Sequence, residues 1–178
     1  MSTSIHYLPF PLPPYLSRFV ASKLKSPIET LIDGSKVKAF HVRPVSHFGK
    51  LICRSLSPMN KPSKVTKAFT LYISVSSRSG SLDPKTPDMR TGFWGMREED
   101  VQDIINIFEE HFYDCFYEYM DAKIEFYAEI GKRRGVVYKS INSFMHKYGQ
   151  PDNPELFERL RKRYQRHEKN RSKTAFGA

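Results

Sequence analysis

The clearest periodicity in the chain lies between residues 98 and 130, where Val101, Ile104, Ile105, Phe108, Phe112, Cys115, Phe116 and Tyr119 recur at steps of three and four. That spacing predicts one long helix, opened by Glu98, Glu99 and Asp100, whose carboxylates suit the positive end of a helix dipole. Ile107, Tyr113, Tyr117, Met120, Ile124 and Tyr127 widen the apolar stripe beyond one face. The helix is therefore expected to be covered on two sides, by the N-terminal sheet and by another helix or a second subunit. A homodimer through residues 98–130 is one form this takes.

Upstream, the pattern changes from helical steps to short β-rich runs. Ile28–Ile32 and Ser35–Val42 flank Asp33-Gly34, the dipeptide that a tight hairpin turn favours because it accepts positive φ. Lys50–Leu56 and Ala68–Val75 are two further strand candidates, the latter with Phe69, Leu71, Ile73 and Val75 on one side. Four strands in succession predict an antiparallel meander. The opening Leu8-Pro9-Phe10-Pro11-Leu12-Pro13-Pro14-Tyr15-Leu16 is read as an extended packing arm, since its prolines fix φ and cannot donate to a central strand. Residues 76–95, rich in Ser, Gly and Pro and ending in Phe93-Trp94, read as a long loop.

Downstream, Ile141, Phe144, Met145 and Tyr148 fall on one helical face that Gly149 closes. Asn153 is a suitable N-cap, Pro154 suits the first helical position, and Glu155 suits the dipole, so a second helix starts there. Its apolar stripe is narrow (Leu156, Phe157, Leu160 and Tyr164) and its remaining surface is basic. Two helices joined by a turn of about four residues, the second cationic on its outside, have the form of a helix-turn-helix. The sequence thus predicts an α+β protein in three parts: a Pro-rich arm and antiparallel sheet with a long loop (1–97), an acidic amphipathic helix (98–130), and a basic helix-turn-helix with a tail (131–178).

Charge sharpens this division. The formal net charge of +10 is distributed as 15 basic and 4 acidic groups in residues 1–97, 1 and 11 in 98–130, and 13 and 4 in 131–178. A basic surplus of this size favours a polyanion, with nucleic acid before an acidic membrane. The candidate contacts with double-stranded DNA are Lys132, Arg133, Arg134, Lys139, Arg159, Lys162, Arg163, Arg166 and Lys169. Glu155 and Glu158 stand in the turns that usually face bases, so phosphate contacts are expected to outweigh base readout. A competing reading docks the basic hairpin on Glu109, Asp114, Glu118, Asp121 and Glu125 of the acidic helix. RNA is the alternative nucleic acid, with Phe69, Tyr72 or Trp94 as stacking groups. A further alternative is a structural or inhibitory phage protein acting through protein contacts.

The order of features in residues 131–166, a basic Gly-Lys-Arg-Arg-Gly lead, Ile-x-x-Phe-Met-x-Lys-Tyr, a Gly-to-Pro turn and Leu-Phe-x-x-Leu-x-Lys-Arg-Tyr-x-Arg, resembles helix-turn-helix-tailed proteins of bacterial prophages and mobile elements. Leu8–Leu16 is similar to the start of such proteins. The resemblance spans about a third of the chain and implies DNA binding in mobile-element biology.

Nothing in the pattern points to an enzyme. The histidines at 6, 41, 47, 111, 146 and 167 form no HExxH or paired metal spacing, and no Gly-rich phosphate loop or nucleophile elbow occurs. His41, Arg43 and His47 are the nearest approach to a constellation, and a nuclease would have to gather magnesium on Asp83, Asp88 or Asp100. No cofactor is expected. Cys53 and Cys115 belong to no CxxC pair, no run of about 18 apolar residues offers a membrane span, and a soluble cytoplasmic protein is expected.

Overall fold

A computed structural model describes residues 5–24, 28–30, 36–43, 45–60, 71–76, 93–132 and 134–175. It is a mixed helix and sheet protein that divides into two compact units, one up to Phe108 and the other from Glu109. The division falls within the long helix, so that helix contributes to both.

In the first unit, β1 (Ile5–Phe10), β2 (Ile28–Thr30), β3 (Lys36–Val42) and β5 (Leu71–Ser76) form a sheet of order β1-β5-β3-β2. The β1–β5 and β2–β3 pairs are antiparallel, the latter with Ile28 opposite Lys38, as the hairpin reading requires; its turn, 31–35, lies outside the described residues. The β3–β5 pair is parallel, with Ala39 opposite Tyr72. The sheet is therefore mixed and not a meander. The reason is Lys50–Leu56, which is not a strand: α2 (His47–Ser55) occupies it, starting where the Ser46 hydroxyl accepts the Gly49 N–H at 2.9 Å. The connection between β3 and β5 contains α2 and β4 (Leu56–Met59) in place of a tight turn, which is long enough to let the two strands run the same way.

The Pro-rich opening also differs from a continuous extended arm. Pro9 is in β1, an edge strand where a missing donor is tolerated, and Pro14 begins α1 (Pro14–Leu24) at the position where a helix has no N–H to lose. Leu16, Phe19 and Val20 of α1 are buried, as are Ala39 and Tyr72 of the paired strands. The end of the long segment after β5 is a strand, β6 (Phe93–Met96), paired antiparallel with β4 (Leu56–Met59); residues 77–92 lie outside the described residues. The Phe48 ring of α2 lies 6.2 Å from Phe40 of β3 and 5.3 Å from Phe108, which ties the sheet to the opening turns of α3 (Glu98–Glu129).

The second unit consists of the remainder of α3 with α4 (Val136–Lys147) and α5 (Pro154–Ala175). The helices follow the predicted periodicities, α3 ending one residue before Ile130 and α5 starting at Pro154. Among the described residues no helix is long and apolar enough to cross a membrane.

Candidate nucleic-acid interface

The basic C-terminal segment owes its shape to three local devices. α3 ends at Gly131, whose φ of 70° is open to glycine, so that the Lys132 N–H reaches back to the Tyr127 carbonyl (2.9 Å) and the Gly131 N–H to that of Ala128 (3.0 Å). α4 ends in the same way: Gly149, with φ of 67°, lets Gln150 N–H bond to the Met145 carbonyl at 2.9 Å. α5 then starts at Asn153, whose Oδ1 accepts the Leu156 N–H at 3.0 Å. The connection between α4 and α5 covers residues 148–153, longer than the four expected.

Aromatic packing fixes the helices. Phe144 of α4 is fully buried, its ring centroid 5.6 Å from that of Phe112, 5.1 Å from Phe116 and 4.8 Å from Tyr148. Tyr119 and Ser143 hydroxyls meet at 2.7 Å. Along α5, three contacts repeat in step with α3: the Arg163 guanidinium lies 3.8 Å over the Tyr113 ring, His167 stacks on Tyr117 at 4.1 Å, and Arg171 bonds to Asp121 at 3.2 Å. Each pair is fifty positions apart and each step is four residues on both helices, so α3 and α5 run in the same direction here. Burial raises the pKa of the Tyr164 phenol, helped by the Glu168 carboxylate, and raises that of Tyr113.

This seam sorts the basic residues. Arg163 and Arg171 face α3, and Arg161 holds Glu158 of its own helix at 2.8 Å, which lowers the pKa of that carboxylate. Arg159, Lys162, Arg166 and Lys169 are all exposed. At 100° per residue these four fall within an arc of about 80° on one side of α5, next to Arg163, and they span about 15 Å along the axis. Lys132 and Arg134 are exposed in the α3–α4 connection and Lys139 on α4, while Arg133 lies outside the described residues. Both readings of the basic hairpin thus have a physical counterpart: one side of α5 docks on α3, and the other carries a cationic ribbon.

The remaining candidates do not converge. Tyr72 and Trp94 are buried, so their rings are not presented to a base, and Phe69 lies outside the described residues. His41 and His47 are exposed, and Arg97 holds Asp100 at 2.9 Å. Asp83 and Asp88 lie outside the described residues. The His111 ring stands 3.7 Å from the Cys115 sulfur, one helical turn on, but among the described residues no three His, Cys, Asp or Glu side chains gather as metal ligands. In the first unit, Ala21, Val37, Tyr72 and Arg18 line a cleft of about 370 Å³ between α1 and β3, and among the described residues no carboxylate lines it. One aromatic pair went unnoticed in the sequence: Tyr138 of α4 and Phe157 of α5, with centroids 4.9 Å apart. Its sequence signal is Tyr138, an aromatic off the apolar stripe of α4, since Phe157 already belongs to the stripe of α5.

No family model matches the chain, and neither a curated protein nor a solved structure matches it.

Proposed function

We propose that the chain binds double-stranded DNA through the outer face of α5, with the α4–α5 pair acting as a helix-turn-helix. The observation that carries this reading is the placing of charge on α5: Arg163 and Arg171 contact α3, and Arg159, Lys162, Arg166 and Lys169 are exposed along one side of the helix. A ribbon of cations on a rigid helix meets a row of phosphates and gains by releasing their counterions, with little dependence on base sequence. Lys132, Arg134 and Lys139 supply further positive charge in the same unit, and Arg133 adds to it in sequence. The Glu158–Arg161 pair offsets one of the two carboxylates near the start of α5 and leaves Glu155 to disfavour close approach there. A role in the upkeep or regulation of a mobile element follows from the resemblance of residues 131–166.

The test is fluorescence anisotropy of the full chain with random-sequence duplex, at roughly 50 to 300 mM salt, where phosphate contacts dominate the salt dependence. Lys162→Glu with Arg166→Glu is expected to weaken binding at least about ten-fold and to flatten the salt slope by about 0.9 per lost phosphate contact. Unchanged affinity in that variant overturns the reading.

A further inference from the structure

We infer that His111 and Cys115 of α3 are two ligands of a site for a zinc-class divalent cation. The inference does not rest on the DNA-binding reading, which concerns α5. The two side chains stand one helical turn apart and bring together the two atoms that bind metal: the imidazole Nε2 lies 3.7 Å from the thiol sulfur. In a tetrahedral site with Zn–N of about 2.0–2.1 Å and Zn–S of about 2.3 Å, two such ligand atoms stand about 3.6 Å apart. The pair therefore holds its donors at the edge length of a coordination tetrahedron with no rearrangement of the helix. As a hydrogen bond the same contact gains little, since sulfur is a weak partner and the imidazole is exposed to water.

The position of the pair on α3 agrees with a ligand role. With His111 set at zero and 100° per residue, Phe112, Phe116 and Tyr119, which meet Phe144 of α4, fall at about 80–140°. Tyr113, Tyr117 and Asp121, which meet α5, fall at about 200–280°. His111 and Cys115, at about 0° and 40°, lie outside both arcs. His111 is exposed and Cys115 is partly exposed, whereas Cys53 is buried in the way a reduced cysteine usually is, so packing against α4 or α5 does not account for Cys115. Asp114 and Glu118 are exposed on the same face, at about 300° and 340°, and α3 holds no Lys or Arg before Lys123. The local field thus favours a cation.

The donors choose which cation. An imidazole nitrogen and a thiolate suit zinc, while magnesium and calcium take oxygen ligands. On binding, the S–H bond gives way to a metal–sulfur bond and the proton passes to solvent, so affinity rises with pH. Among the described residues no third His, Cys, Asp or Glu gathers with the pair, so the chain supplies two ligands and the remaining positions go to water.

The experiment titrates the reduced full chain with cobalt(II), a spectroscopic stand-in for zinc. A thiolate-to-cobalt charge-transfer band in the near ultraviolet is expected, saturating at a single ion per chain, bleached by zinc and unaffected by excess magnesium. Cys115→Ser is expected to abolish the band and Cys53→Ser to leave it, which assigns the sulfur because the chain has two cysteines. His111→Ala is expected to weaken cobalt binding at least about ten-fold, since even a group that only supports a metal ligand is worth that much. Raising the pH by one unit is expected to tighten binding by up to about ten-fold, through the one proton released. Thermal melts without metal check that the variants fold. No band, or a band that survives Cys115→Ser, overturns the inference. So does unchanged affinity in His111→Ala, which would leave the thiol acting alone, and so does loss of the band in excess magnesium, which would place the ion among carboxylates. Each of these outcomes leaves the duplex reading untouched.

Discussion

Lys162 and Arg163 are neighbours of like charge with different surroundings. The guanidinium of Arg163 lies over the Tyr113 ring, 3.8 Å from its centroid, a cation–π contact that holds α5 to α3, while Lys162 projects from the outer ribbon. Lys162→Ala is expected to reduce the salt slope of DNA binding by about one with little effect on melting temperature. Arg163→Ala is expected to lower the melting temperature and change the slope less. Parallel melting and titration of the two variants check this, and a larger slope change for Arg163 would refute it. Tyr113 and Tyr164 supply a pH dependence of definite sign. Both phenols have pKa values raised above the ordinary tyrosine value of 10.0, first by burial, and for Tyr164 also by the Glu168 carboxylate. The folded chain therefore retains protons that the unfolded chain releases, so stability is intact below pH 10 and falls as pH rises above it. Tyr164→Phe is expected to flatten that alkaline loss in denaturant titrations between roughly pH 9 and 11; an unaltered alkaline profile would count against it.

At the level of elements, α5 depends on a defined start and α4 on a defined core. Asn153 satisfies an N–H of the first turn of α5, so Asn153→Ala is expected to cost about 1 kcal/mol of stability, with Asn153→Asp largely restoring it. Phe144 is enclosed by rings from α3 and by Tyr148 just after α4, so Phe144→Ala is expected to cost about 3–5 kcal/mol through lost transfer energy and the cavity left behind. Chemical denaturation measures both, and a Phe144 cost below that of Asn153 would contradict the packing described. The starts and stops of these elements were the most legible part of the sequence. Gly149 and the Asn153-Pro154-Glu155 run each act within a few residues, through hydrogen bonds that no distant partner has to supply, and the Gly131 turn, which was not singled out, works in the same way. The N-terminal strands were less legible. In Lys50–Leu56 the apolar residues Leu51, Ile52, Cys53 and Leu56 are too few to separate a strand from a helix by period, and the Ser46 cap lies outside that run.

Across the molecule, charge of both signs lies close together in the second unit. Glu110, Asp114, Glu118 and Glu125 are exposed on α3, the helix against which α5 packs. Negative charge so near a phosphate-binding ribbon is felt over a Debye length of about 10 Å at 0.1 M salt. Asp114→Asn with Glu118→Gln is therefore expected to raise duplex affinity several-fold at low salt and to lose that advantage as salt rises. Titrations at two salt concentrations test this, and affinity unchanged at low salt would show that the acidic face does not modulate binding. The sequence by itself determined the three C-terminal helices, the cap residues between α4 and α5 and the alternation of basic and acidic segments, because each depends on neighbours along the chain or on composition alone. Only the tertiary structure decided that β3 and β5 run parallel, since strand direction depends on the crossover between them. It also decided the surroundings of the arginines: Arg163 comes to lie over Tyr113, and Arg171 to pair with Asp121, only because two helices fifty residues apart pack side by side.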